Sequence, residues 1–350
     1  MAGALTYAAL ILFGTRQALG KYLAQAEVIF EYRSNSASGP PQQRVEYRQG
    51  FFSFHDDLWE KINLRNEVQH FQQGLFMFAV PTFSEVVIRE AILNAVSHRD
   101  YRLSGSVFVR EFPRKIEIVS PGGFPPGITV ENILTRQSPR NRRIAEAFAK
   151  CGLVERSGQG MNRMFEECIK ESKPKPDFAD TDAYQVSVTL RGEIQDVQFL
   201  RFMEQVGLER LSSFTTEDFL VLDLIHGEQP VSDSLKSRLP GLVEKGVIEM
   251  IGRGRGTHYI LSRRFYAFIG KKGVYTRKRG LDRETNKTLL LKHIVDHQSE
   301  GSQFQDLWQV LPGLTRNQVQ SLLRELRLEG RIESKGYAKG ARWYPISHNR

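Results

Sequence analysis

Between residues 83 and 96 the apolar side chains fall at i, i+3, i+4 and i+7, a spacing that predicts a helix with Ser84 as its N-cap. Residues 106–111 and 115–119 then read as strands, and the short turn between them makes a hairpin. Pro121 to Gly127 (PGGFPPG) is a rigid turn. Residues 128–150 are basic and then helical, Gly158-Gln159-Gly160 opens another helix running to residue 170, and residues 184–191 alternate as a closing strand. Upstream, residues 26–33 are strand-like, residues 34–43 form a loop, and residues 56–79 read as a helix and its continuation. The apolar run at residues 4–13 is far short of the ~20 residues a membrane span needs, so it is expected to be a buried element.

From residue 214 the texture changes to two helical units, roughly 214–262 and 286–344, each ending in a glycine-rich basic hairpin. In the second, Thr315 caps an amphipathic helix that exposes Arg316, Asn317, Gln320 and Arg324 and stops at Gly330. A hairpin tipped by Lys335 and Lys339 follows. Helix, stop and basic hairpin together resemble a winged helix, whose recognition helix reads base edges and phosphates in a major groove. The first unit repeats the plan with a wing carrying Arg253 and Arg255, but Pro240 falls inside its helix and should kink or shorten it. Winged helices also serve as protein-docking modules.

Charge bears on this choice. Residues 1–200 hold 24 basic against 23 acidic residues, whereas residues 201–350 hold 25 against 17, so nearly all of the +9 net charge lies in the C-terminal part. A localised basic excess points to double-stranded DNA as partner, against the alternative of a solvated basic surface. Two cysteines, Cys151 and Cys168, exclude a metal cluster or a disulfide framework and fit packed thiols in a reducing cytoplasm.

Glu90 and Asn94 lie four residues apart and so share one helix face. An amide oxygen is a hard, neutral ligand for Mg²⁺, and a carboxylate can orient or deprotonate a water. Alone the pair is weak, since such spacing is common on helix surfaces. Two glycine turns follow it, at Gly122-Gly123 after a strand and at Gly158 and Gly160 opening a helix, where backbone amides favour phosphate oxygens. His98, Arg99, Asp100 and Tyr101 read better as a helix end and a turn-forming Asp than as catalytic groups. Arg140, Arg142 and Arg143 suit phosphate contact from a lid and a solvated basic face equally.

These letters resemble a known family. Residues 89–101 (REAILNAVSHRDY) are similar to the first motif of the GHKL-type ATP-binding domain found in RecG-related and Schlafen/AlbA-associated bacterial regulators. Residues 116–127 (IEIVSPGGFPPG) are similar to its second motif, and residues 136–164 to its lid segment and last glycine box. The opening residues resemble the tail of the Schlafen/AlbA-like domain that usually comes first. The resemblance implies ATP and Mg²⁺ as cofactors, Glu90 as general base, Asn94 as Mg²⁺ ligand, Gly122 and Gly123 beside the adenine, and Gly158, Gly160 and Arg140 on the phosphates. Ser120 stands where the family places Asp or Asn to accept from the adenine amino group. No Gly-x-x-x-x-Gly-Lys-[Ser/Thr] phosphate loop appears, which leaves the name helicase unsupported.

The expected architecture is α+β: a GHKL (Bergerat-type) α/β sandwich followed by two winged-helix units. Its expected parts are residues 1–80 as a remnant and connector, 81–195 as the ATP-binding domain, and 196–270 and 281–350 as winged helices. The expected function is a cytoplasmic, homodimeric transcriptional regulator away from any membrane, whose DNA contacts respond to ATP. Two alternatives stay open: a Mg²⁺-dependent ATPase driving a clamp or remodelling cycle on DNA, and a protein-docking scaffold with a degenerate nucleotide pocket.

Overall fold

Two short helices come first, the apolar α1 (Tyr7–Phe13) and the largely polar α2 (Arg16–Tyr22), each started by a threonine whose hydroxyl accepts from the helix backbone. Then come β1 (Val28–Tyr32), β2 (Gln43–Tyr47), α3 (His55–Asn63), a hairpin of β3 (Val68–Gln73) and β4 (Phe76–Pro81), and α4 (Glu85–His98). The hairpin β5 (Val107–Phe112) and β6 (Lys115–Pro121), helices α5 (Arg142–Lys150) and α6 (Gly160–Lys170), strand β7 (Gln185–Arg191), and helices α7 (Val197–Arg210) and α8 (Thr216–His226) follow. This is a computed structural model, and it describes residues 5–35, 39–73, 76–154, 159–210, 214–252, 257–263, 265, 283–311, 314–336 and 341–346. The chain divides into two compact units, Met1–Leu242 and Val243–Arg350.

The first unit is built on a mixed sheet in the order β2–β1–β5–β6–β7. β1 pairs in parallel with β5, and the other neighbours are antiparallel. β1 buries Val28, Ile29, Phe30 and Glu31 in succession, whereas β6 alternates and turns Ile116, Ile118 and Ser120 inward. Helix α4 packs its Val87, Ile88, Ala91, Ile92 and Leu93 into the same core, together with Ile144 and Phe148 of α5 and Met164 of α6. Removing each large apolar side chain of this set from water contributes about 1.5–3 kcal/mol.

Two sequence expectations need correction here. Residues 56–79 do not continue as a helix, because α3 ends at Asn63 and the chain turns into the β3–β4 hairpin. A boundary at residue 80 does not separate a remnant from the domain, since β1 lies inside the sheet and the buried residues of α1 share its core. Parallel pairing across some eighty residues leaves no local sequence signal. Of the two free cysteines, Cys168 is packed as expected, but Cys151 is exposed.

Before the second unit, a 3₁₀ turn (Asp233–Arg238) gives way to α9 (Leu239–Glu244), so Pro240 falls in the first turn of a six-residue helix, shortened as its position predicted. A small hairpin, β8 (Ile248–Ile251) and β9 (His258–Leu261), comes next. Beyond it lie α10 (Arg283–Asp296), β10 (Ser302–Gln303), α11 (Phe304–Val310), α12 (Arg316–Leu328), β11 (Ile332–Lys335) and β12 (Arg342–Pro345). The last three strands form an antiparallel sheet in the order β10–β12–β11 over a core that includes Leu290, Ile294, Leu307, Val319, Leu322, Leu326 and Ile332. Among the described residues no helix is long and apolar enough to cross a membrane.

One core residue of the sheet should be visible in the stability of the fold. Glu111 on β5 is 1 % exposed, and its Oε2 meets no hydrogen-bond partner among the described residues. Burial pushes its carboxyl up to about 8, and Arg65 pulls partly back. A carboxyl whose folded pKa lies above its unfolded value near 4.5 supports the fold below that value and loses its contribution as pH rises through about 8. Glu111→Gln is therefore expected to melt close to wild type at about pH 5 and above it at about pH 9. Equal melting of the two proteins at the alkaline pH would mean that the ionised carboxylate is well accommodated.

Candidate functional site

Helix α4 meets solvent through Glu85 and Arg89, which pair with each other at the surface, and elsewhere it is nearly all apolar, so that Glu90, Asn94 and His98 lie away from its solvent side. Glu90, Asn94 and His98 repeat every fourth residue and line one cavity of about 380 Å³, within the usual range for small-molecule sites. Asn94 Nδ2 donates to Glu90 Oε1 at 3.1 Å. That bond fixes the amide plane and leaves Asn94 Oδ1 with no hydrogen-bond partner among the described residues. Glu90 is buried and lies against the first residue of α6: a Cβ on Gly160 would stand 1.8 Å from Glu90 Oε1. Glycine alone lets the N-terminus of α6 come this close to the carboxylate.

Across the cavity stand the end of β6 and the Gly122-Gly123 turn. Ser120, on the inward face of β6, donates its hydroxyl proton to the Ala95 carbonyl of α4 at 2.8 Å. Gly122 has φ +95°, and a Cβ there would lie 2.3 Å from Arg140 Nη1 and 2.7 Å from Asp100 Cβ. The amides of Gly122 and Gly123 donate to the carbonyls of Tyr184 and Ala183. The turn therefore offers a ligand flat backbone surface and no free N–H. Ile118, Phe124, Met164, Phe178, Val186 and Val188 complete an apolar wall.

The C-terminal end of α4 is held from three sides. Asn141 Nδ2 donates to the carbonyls of Ser97 and Arg99 at 2.9 and 2.7 Å, and the Tyr101 hydroxyl donates to Val96 O at 3.0 Å. The Arg99 guanidinium is buried, donates to the carbonyls of Asp100, Leu103 and Gly105, and lies over the Tyr101 ring. Asp100 accepts from the Arg102 backbone as the turn-former expected of it, and the Arg102 side chain holds its carboxyl down to about 2. Arg99, Asp100 and Tyr101 are thus structural.

Arg140 is not among the residues lining the cavity. Its Nη2 donates to Gly123 O at 2.6 Å and its Nη1 pairs with Asp100 at 3.4 Å, so it clamps the glycine turn from behind. Arg136 and Arg142 line the cavity instead, Arg142 in an exposed i,i+4 pair with Glu146. His98, read from sequence as a helix-end residue, is also a cavity residue; its spacing of four from Asn94 was the available signal. Gly158 lies outside the described residues. Among those described, no group of three or more His, Cys, Asp or Glu side chains could hold a metal unaided. A single uncommitted amide oxygen suits Mg²⁺, which takes most of its ligands from water and phosphate.

In the second unit, Thr315 and Gln318 form a reciprocal capping box that starts α12. Val319, Leu322, Leu323 and Leu326 are buried, and Arg316, Asn317, Gln320 and Arg324 are exposed. Lys335 is exposed and pairs with Glu333 at 2.9 Å. Lys339, Arg253 and Arg255 lie outside the described residues.

A family described as "Putative ATP-dependent DNA helicase recG C-terminal" matches residues 105–190, which takes in Ser120, Gly122, Gly123 and Gly160 and stops short of α4. No curated protein matches the chain. Among solved structures, the DIP2311 protein from Corynebacterium diphtheriae is similar in fold, with a TM-score of 0.60 and 23% identity over 70% of this chain. The likeness covers 53% of that protein, so this chain spans about half its length.

The fit of Gly160 against Glu90 can be tested without knowing the ligand. Gly160→Ala should gain helix propensity, up to about 1 kcal/mol, yet it must push the Glu90 carboxylate off its bond to Asn94. In a Glu90→Ala background the same change is relieved of the three closest atoms, all of which belong to the Glu90 carboxyl. Urea denaturation of the four proteins in this cycle should show a coupling of roughly 1 kcal/mol or more. Additive effects would mean that the two residues are not in contact.

Proposed function

We propose that this chain is an ATP-binding, DNA-binding regulator, with nucleotide and Mg²⁺ held along α4 and duplex DNA met by α12. The observation that carries the nucleotide half is the uncommitted Oδ1 of Asn94, oriented by Glu90 inside a cavity that a glycine turn closes. The ATP-dependent family matched at residues 105–190 supports the same reading. In it the first unit is a GHKL-type domain: Asn94 is the protein's Mg²⁺ ligand, the Gly122-Gly123 surface lies along the base, and Gly160 faces the phosphates. Ser120 spends its proton on Ala95, so toward the cavity it presents lone pairs, which suit the amino group of adenine. Glu90 is the group to orient or deprotonate an attacking water, and bound Mg²⁺ would supply charge neutralisation on the phosphates.

Two further features support the DNA half. The succession α10, β10, α11, α12, β11, β12, with β12 between β10 and β11, supports reading this part as a winged helix. Its third helix turns outward side chains of the kinds that read bases and phosphates, and the basic excess of the chain lies in residues 201–350.

Isothermal titration with Mg-ATP tests the first half. Asn94→Ala is expected to lose most of the affinity, while Glu90→Gln, whose amide oxygen still accepts from Asn94, should keep it and lower any turnover at least about tenfold. Undiminished binding by Asn94→Ala in Mg²⁺ would remove the site from α4.

For the second half, the measurement is duplex binding by the intact chain as a function of salt. Replacing a base-reading Arg316 or Arg324 by Ala should cost roughly 1–3 kcal/mol and relax specificity. Replacing Lys335 should weaken all sequences alike and flatten the salt slope by about one unit. Failure of the intact chain to bind any duplex at low salt would favour protein docking.

A further inference from the structure

His98 is the cavity residue that no role has yet absorbed. It ends α4 one turn beyond Asn94 and two beyond Glu90, so the three side chains descend one wall of the same cavity. It is only partly buried, and no described residue forms a hydrogen bond or ion pair with its imidazole. A half-buried ring with two nitrogens and no protein partner is incomplete by itself, and a ligand group is what the cavity can bring to it.

The charges around it set what that group can be. Arg140 stands behind the glycine turn, and Arg136, on the segment leading into α5, and Arg142, its first residue, line the cavity. Against these stand Glu90 on α4, Glu146 on α5 and Asp100 in the loop after α4, all three with cationic or hydrogen-bonding partners. In the empty protein, burial and then the Arg140 charge hold the imidazole below its usual pKa, so it is neutral near pH 7.

Resting on the nucleotide reading above, we propose that His98 binds a phosphate group of the nucleotide and takes up a proton as it does so. The reaction is balanced by one proton from solvent, which goes to the imidazole nitrogen facing the anion. Binding by this route strengthens as pH falls through the pKa of the complex. It weakens as pH rises, by up to about tenfold per unit by which the anion raises that pKa. A side chain that merely packs would show neither effect.

The test is calorimetric titration of the full chain with Mg-ATP at about pH 6.5, in buffers of different ionisation enthalpy. Wild type is expected to take up a measurable fraction of a proton per nucleotide. His98→Gln should take up none and bind with a flatter pH profile. His98→Lys, which carries its charge permanently, should recover affinity at higher pH without proton uptake, and it guards against a glutamine variant that folds poorly. If wild type and His98→Gln bind equally well with equal proton uptake, the role of His98 is overturned and the nucleotide site stands. If wild type binds no nucleotide, both fall.

Discussion

Apart from Glu85 and Arg89, which pair at the surface, helix α4 has to satisfy its polar groups from within the protein, because apolar side chains flank Glu90, Asn94, Ser97 and His98. Most of what surrounds the cavity follows from that constraint. Its last carbonyls cannot reach water, and Asn141 and Tyr101 supply the missing donors. Tying Asn141 to α4 also fixes Arg140 next to it, and Arg140 in turn holds the Gly122-Gly123 turn against Asp100. The helix end, the basic segment and the glycine turn are therefore one hydrogen-bonded assembly. The cavity is the space this assembly leaves between α4 and β6.

The buried charges of the first unit divide into two kinds. Glu31 is surrounded by Arg33, Arg44 and Arg110, and Lys173 by Glu171 and the Pro81 carbonyl. Such pairs compensate for the loss of hydration and fix neighbouring strands and loops to one another. Glu111 stands apart, with an oxygen that no described residue satisfies and a carboxyl that burial pushes up to about 8. As a neutral acid it is closer to a glutamine than to a charge, which is why the sheet tolerates it.

Local pattern made much of this legible. The α4 periodicity, the β5–β6 hairpin, the closing strand β7, the start of α6 at Gly160 and the capped α12 are all written in windows of a dozen residues or fewer. What the pattern could not carry was pairing at a distance. β1 looked like part of a separate segment because its parallel partner β5 lies far along the chain. The β3–β4 hairpin was hidden in residues whose mixture of apolar and polar side chains also suits a helix. At the site, the structure brings Glu90, Asn94, Ser120, Gly122, Gly123 and Gly160 to one cavity, and it turns Arg140 away from it. Arg140 has the chemistry for phosphate, yet its reach is fixed by Gly123 and Asp100, and no spacing rule encodes that.

The same spacing does opposite work in the two units, and the flanking residues decide which. Glu90, Asn94 and His98 on α4 repeat at i, i+4 and i+8, as do Arg316, Gln320 and Arg324 on α12. On α12 the apolar residues Val319, Leu322, Leu323 and Leu326 form a narrow stripe, so the polar series looks outward into solvent. On α4 the apolar residues surround the polar series on both sides, and an outward face does not exist for it. A polar row on such a helix must end in a cavity or remain unpaired at a cost of about 1–3 kcal/mol per group. This makes the row on α4 a stronger sign of a binding site than the motif letters alone. It also explains why His98 belongs to the row: a residue at that spacing, on that helix, has only the cavity to face.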